Sequence, residues 1–76
     1  MTTLNKPQGN TYSLVTTEES FTAQNVSSHM QEWVRTSSPP PESLSGLIRG
    51  YGEGLTGAQG SGSLYARGKG MVVVIT

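Results

Sequence analysis

The chain has 76 residues with zero net formal charge; 13% of its residues are charged and 33% are hydrophobic. Cysteine is absent, which excludes disulfide bonds and thiolate metal sites. So short a chain with so few apolar residues forms one small domain at most, and domains of this size usually need disulfides, a metal or oligomerisation. Because the single histidine, His29, argues against an all-protein zinc site, we expect oligomerisation, a partner or partial disorder.

Charge and hydropathy also limit the classes of partner. A nucleic-acid-binding protein normally has a basic patch, and five Lys and Arg residues balanced by five acidic ones argue against that class. The first ten residues lack the apolar segment of a secretion signal, and the longest apolar run, 71–75, is far too short to span a membrane. We therefore expect a protein that stays in the cytosol, or in a particle assembled there.

The N-terminal part of the chain shows two extended segments. Residues 1–10 are polar and include Pro7 and Gly9, which predicts an extended arm. Residues 11–17 are rich in Thr, Tyr, Leu and Val with partial alternation of polar and apolar residues, which predicts a short strand.

The strongest local pattern predicts an amphipathic helix over about 22–35. Five apolar residues fall within an arc of about 100° on a helical wheel. They are Ala23, Val26, Met30, Trp33 and Val34. Thr22 is a suitable N-cap, and Phe21 and Val26 have the spacing of a hydrophobic staple. Three prolines, at 39–41, would end this helix.

A second, shorter helix is predicted at about 41–49, because apolar residues recur at helical spacing between Pro41 and Gly50. A glycine-rich segment follows at 50–62. Residues 63–76 then predict a β-hairpin around the turn at 68–70. The last run is unbroken rather than alternating, so we expect both of its faces to be covered.

Together these elements predict a small α+β fold or an extended, non-globular chain. Its segments are an N-terminal arm at 1–10, a strand and helical segment at 11–49, the glycine-rich segment at 50–62 and a hairpin at 63–76, all in a single small unit.

No motif supports catalysis, a cofactor or a metal. The glycine pattern at 52–57 lacks the preceding strand and following helix that dinucleotide binding requires. Residues 63–70 resemble a phosphate loop but have Ser63 in place of the first glycine and Gly70 in place of the hydroxyl residue. His29 and Glu32 could share a metal but have no third ligand nearby. We therefore expect no enzyme, no cofactor and no small-molecule substrate.

The apolar stripe of the predicted helix has two interpretations. It is either the core of a small α+β domain or a helix that docks into a groove of a partner, with Trp33 and Met30 as anchors. For the second case we assign a protein interface. Its members are Phe21, Val26, Met30, Trp33, Val34, Tyr51, Tyr65 and Val73.

The sequence favours a non-enzymatic structural or assembly protein that binds a larger protein assembly or forms a homo-oligomer. An accessory component of a virus or phage particle is the best match, because such proteins are often small, free of cysteine and rich in Ser, Thr and Gly. The alternative is a small soluble regulator or inhibitor that docks its helix on a target protein. A nucleic-acid-associated protein is a third and weaker hypothesis.

Overall fold

The computed structural model describes residues 2–5, 9, 11–17, 21–57 and 62–75, and within these ranges the chain is all β, with eight strands and no helix. The strands are β1 (Thr2–Asn5), β2 (Ser13–Thr16), β3 (Phe21–Asn25), β4 (Gln31–Thr36), β5 (Leu47–Arg49), β6 (Gly54–Gly57), β7 (Ser63–Gly68) and β8 (Val72–Ile75).

The eight strands form two antiparallel sheets of four. Sheet A has the order β1-β8-β3-β6, and sheet B has the order β2-β7-β4-β5. The pairing is nested, since β1 pairs with β8, β2 with β7, β3 with β6 and β4 with β5. Two further ladders, β3 with β8 and β4 with β7, join these pairs into the sheets. An eight-stranded double sheet with this nested order is a jelly roll.

The core lies between the two sheets and is built by alternation along the strands. Successive side chains of a strand point to opposite faces, so every second residue of β3, β7 and β8 is buried. The buried apolar cluster consists of Val15, Phe21, Ala23, Trp33, Leu64, Ala66, Val72 and Val74, with Leu55 packed against it.

The predicted helix at 22–35 is wrong, because this stretch forms β3 and β4 with a bend at 27–29 between them. Two of the positions buried by β-alternation carry polar residues, Asn25 and Gln31. Two of the apolar residues, Val26 and Met30, are exposed near the strand ends. Because these polar residues are buried and these apolar residues are exposed, hydrophobicity does not alternate every two residues along this stretch. It instead follows a spacing that resembles that of a helix.

The second predicted helix, at 41–49, is also wrong. This stretch begins with a turn at 42–43 and ends with β5, which pairs with β4 through Trp33 and Leu47. The arm predicted at 1–10 contains β1, whose residues pair with β8 along its whole length. The α+β class and the extended, non-globular class are therefore both incorrect, since β pairing replaces the helices and organises the described chain into two sheets.

The predicted C-terminal hairpin has the correct strands but the wrong pairing. The strand predicted within 11–17 is present as β2, and β7 and β8 lie within 63–76. However, β7 pairs with β2 and β4 in sheet B, whereas β8 pairs with β1 and β3 in sheet A. Between them the chain crosses from one sheet to the other, with Gly68 and Gly70 at positive φ angles of 117° and 103°. The separation lets both strands contribute buried side chains to opposite walls of one core.

A candidate protein-binding surface on one face of the sandwich

The sandwich has two broad outer faces that differ in chemistry. Its dimensions are 27 × 24 × 15 Å, so these two faces dominate the surface. One is the outer side of sheet A and the other is the outer side of sheet B. Which side chains each presents follows from the strand register, because residues paired across a ladder point the same way.

The outer side of sheet A presents three rows of side chains. The middle row is Leu4, Val73 and Gln24, paired across β1, β8 and β3. A second row contains Ile75 and Thr22, with Thr56 on β6, and a third contains Met71 and Val26, joined by a backbone hydrogen bond. We call this set the uncharged face, since none of its described side chains bears a charge. Its members are Leu4, Thr22, Gln24, Val26, Thr56, Met71, Val73 and Ile75.

An apolar stripe runs along the uncharged face. Val73 and Ile75 lie on the outer side of β8, which is an interior strand of the sheet, and Met71 immediately precedes this strand. Leu4 lies beside them on β1 and Val26 near the end of β3. Leu4 is 60% exposed, Ile75 53% and Met71 42%, although all three are large apolar residues. Within the described ranges, this stripe is an exposed apolar strip on the outer surface of sheet A.

The outer side of sheet B is instead covered in part by the connection between β4 and β5, residues 37–46, which we call the strap. The main-chain oxygen of Leu44 accepts hydrogen bonds from the Tyr12 hydroxyl at 2.7 Å and from Arg67 Nη2 at 3.3 Å. Arg67 Nη1 also donates to the main-chain oxygen of Glu42 at 2.6 Å. These bonds hold the strap against Tyr12, just before β2, and against Arg67 on β7.

An ion pair lies under the strap. Arg67 Nε is 3.1 Å from Glu32 Oε1, and Nη2 is 3.2 Å from Oε2. The Gly46 amide donates to the same carboxylate at 3.1 Å, and the guanidinium of Arg67 stacks on the Tyr12 ring at 4.4 Å. Hydrogen bonds from Arg67 and from the Gly46 amide lower the pKa of Glu32. The outer side of sheet B therefore carries paired charges and its own covering segment.

One end of the sandwich is closed by buried polar side chains. Asn25 Nδ2 donates to the carbonyls of His29 and Arg49, both at 2.8 Å, and Asn25 Oδ1 accepts from the amide and the hydroxyl of Ser27. Gln31 Oε1 accepts from Trp33 Nε1 at 2.9 Å. These bonds satisfy the side-chain amides of Asn25 and Gln31 that the fold buries at this end.

The eight interface residues assigned from the sequence do not come together. Phe21 and Trp33 lie in the core at 4% and 1% exposure, which removes them from any surface of the folded chain. Val26 and Val73 lie on the uncharged face. Val34 and Tyr65 pair with each other on the outer side of sheet B. The remaining two, Met30 before β4 and Tyr51 in the turn after β5, are exposed.

Sequence reasoning missed three large members of the uncharged face. Leu4 fell in the segment predicted to be an arm, whereas Met71 and Ile75 fell in or beside a strand expected to be covered on both faces. The structure covers only one face of that strand, since Val72 and Val74 are buried while Ile75 is exposed. One signal was available in the sequence. Side chains alternate along a strand, so an unbroken apolar run places apolar residues on the outer face as well as on the buried one.

The described residues can also be compared with what a ligand groove or a metal site requires. One groove, of about 470 Å³, lies beside the Glu32–Arg67 pair and is lined by Met30 and Ile48 among others. Its two charged groups are already bonded to each other. In the described part of the chain, no three His, Asp or Glu side chains gather where they could hold a metal. The same part contains no helix of the length and hydrophobicity that crossing a membrane requires.

Comparisons with known proteins identify no relative of this chain. No protein-family model, no curated protein and no solved structure matches it.

Proposed function

We propose that the protein is a non-enzymatic structural or assembly component that binds a larger protein assembly, as an accessory component of a virus or phage particle. The observation that carries the proposal is the uncharged face, with its exposed apolar stripe along β8. Contiguous exposed apolar patches mark protein–protein or membrane contacts, and the centres of protein interfaces are depleted in charge. The uncharged face has both properties.

Burial of the stripe supplies a driving force for docking. Removing apolar surface from water contributes about 25 cal/mol per Å². Leu4 and Ile75 are each more than half exposed, so a partner could still bury most of their surface. The polar members, such as Thr22 and Gln24, are uncharged and can form hydrogen bonds across an interface at little desolvation cost.

The architecture supports the same proposal by analogy. Double-sheet jelly rolls occur in viral capsid domains, and also in lectins and cupins. A fold of this kind serves many functions, so the analogy favours a particle protein without deciding it. The chemistry of the uncharged face supports a particle protein, since this face offers apolar contact area.

The regulator hypothesis loses its premise in this fold. It required a helix that presents Trp33 and Met30 to a target protein. Trp33 is 1% exposed and donates its indole N–H to Gln31 within the core. The nucleic-acid hypothesis gains no support from two arginines, since Arg67 binds Glu32 and the strap, while Arg35 donates to the Gly62 carbonyl and stacks on Phe21.

Two matched lysine variants test the proposal. Ile75 on the uncharged face and Ile48 on the outer side of sheet B are 53% and 52% exposed, so replacing each by lysine is an equivalent change on opposite faces. The tagged chain would be expressed in its native source, particles purified by sedimentation, and the chain quantified by mass spectrometry. We expect the wild type and Ile48→Lys in the particles and Ile75→Lys in the free fraction.

The proposal fails if the wild-type chain is absent from every large assembly, or if Ile75→Lys enters particles as well as Ile48→Lys does. Circular dichroism of both purified variants verifies that each retains the β spectrum of the wild type.

A further inference from the structure

We propose that the uncharged face pairs with the uncharged face of a second copy of this chain, so that the partner it meets within the assembly is another copy, in a face-to-face homodimer. This inference rests on the proposed function in one respect, because it also takes the uncharged face as a protein interface. It adds the identity of the partner at that face.

The size of the molecule leaves few places for a stable dimer contact. A standard interface buries about 800 Å² on each partner. A broad face of this sandwich measures 27 × 24 Å, which is about 650 Å² in projection and somewhat more as accessible surface. A contact of this size therefore calls for a broad face rather than one of the sides, which the 15 Å dimension makes narrow.

The uncharged face is the more open of the two broad faces. On the outer side of sheet B, the strap is held by Tyr12, just before β2, and by Arg67 on β7. Leu14 and Ile48 are exposed on that side, but a second copy there would also have to accommodate the strap and the paired charges of Glu32 and Arg67. The uncharged face has no comparable covering segment among the described residues, so its sheet surface is available across β1, β8 and β3.

The absence of charge favours a second copy over a charged partner. A two-fold interface brings the same patch of both copies together, and charges on such a patch risk like-charge repulsion. The described side chains of the uncharged face carry none. Its polar members, Thr22, Thr56 and Gln24, have hydroxyl or amide groups that both donate and accept hydrogen bonds, which suits contact with an identical surface.

The position of Val73 gives the geometry of the pair. It lies in the middle of the stripe, between Met71 and Ile75 on β8, and its neighbours in the row are Leu4 and Gln24. A two-fold axis near Val73 would place one stripe on the other, with the two A sheets packed face to face at about 10 Å. Val73 would then contact Val73 of the second copy.

The test uses opposite charges at this one position. The molecular mass of the purified wild-type chain, measured by sedimentation equilibrium over a range of concentrations, should be twice that of one chain. Val73→Lys and Val73→Glu should each give the mass of one chain. An equimolar mixture of the two at low salt should recover the doubled mass, because Lys and Glu then face each other. Ile48→Lys, on the other face, should remain a dimer.

A wild type that stays monomeric at millimolar concentration overturns the dimer, as does a Val73→Lys variant that keeps the doubled mass. If the Val73 variants do not fold, Leu4→Lys and Leu4→Glu on the edge strand β1 replace them, since Leu4 is 60% exposed. A monomer that still enters particles in an Ile75-dependent manner refutes the dimer alone. A dimer that never enters particles refutes only the proposed function.

Discussion

Asn25 shows how a polar residue can organise the core of a small sandwich. Its side chain is fully buried and forms hydrogen bonds with three residues, His29, Arg49 and Ser27. These residues lie in the β3–β4 bend and on β5, so one amide joins β3 to the bend and to the neighbouring sheet. Apolar residues could fill this space, but they would leave the carbonyls and the amide of these segments without partners.

We expect Asn25→Ala to destabilise the protein by about 3 kcal/mol or more, because each buried polar group left without a partner costs about 1–3 kcal/mol. A domain of 76 residues has a total stability of only about 4–11 kcal/mol, so this variant should be close to unfolding. Urea denaturation followed by Trp33 fluorescence measures the loss.

Gln24→Ala is the control for Asn25→Ala. Gln24 is the preceding residue, is exposed, and makes one side-chain hydrogen bond to the Gly52 carbonyl at 2.9 Å. We expect its replacement to cost about 1 kcal/mol or less. Equal losses for the two variants would contradict the structural role of Asn25.

At the level of elements, the sequence predicted strands correctly where the buried positions of the strand carry apolar residues. Leu64 and Ala66 on β7, and Val72 and Val74 on β8, are the buried residues of segments predicted as strands. It failed for β3 and β4, where polar Asn25 occupies a buried position. Periodicity measures hydrophobicity rather than burial, so a satisfied buried amide looks like a surface residue in the sequence.

In the glycine-rich segment, the close neighbour of Gly62 is the backbone of the chain itself. A Cβ at Gly62 would lie 2.6 Å from the carbonyl carbon of Thr36 and 2.7 Å from its oxygen, at the end of β4. Residues 58–61 of the segment lie outside the described ranges.

A pair of alanine variants separates backbone strain from steric overlap. Gly62 and Gly52 have similar positive φ angles of 89° and 82°, but a Cβ at Gly52 has no neighbour within 4 Å. We expect Gly52→Ala to cost about 1–2 kcal/mol from strain alone. Gly62→Ala should cost about 1–3 kcal/mol more, because β4 has to move. Thermal unfolding by circular dichroism compares them, and equal melting temperatures would show that the Thr36 contact is loose.

The whole molecule was the least predictable level. The nested order pairs β1 with β8, from opposite ends of the chain, and no local pattern specifies such distant partners. The surface was equally hard to predict, since it depends on which sheet each strand joins. Of the assigned interface residues, Val26 and Val73 reach the uncharged face, while Phe21 and Trp33 are buried. The expectation from composition, that the chain needs oligomerisation or a partner or is partly disordered, stays a prediction that the dimer experiment addresses.

The strap makes the stability of the whole sandwich depend on pH. Glu32 accepts hydrogen bonds from Arg67 and from the Gly46 amide at the end of the strap, which lowers its pKa in the folded state below the ordinary 4.5. A carboxyl group with a lowered folded pKa stabilises the native state above its unfolded pKa. That contribution is lost as the pH falls through the folded pKa.

We therefore expect the free energy of unfolding of the wild type to fall as the pH drops below about 5 and through the lowered folded pKa of Glu32. Glu32→Gln should be less stable than the wild type at pH 7 and should lose less stability on acidification, so that the two curves converge at low pH. Urea denaturation at a series of pH values measures both. Glu42→Gln removes an equal charge from the strap but keeps the main-chain carbonyl that Arg67 binds, so it should retain the wild-type slope. If Glu32→Gln and the wild type instead stay parallel down to pH 2, the ion pair with Arg67 does not hold the strap.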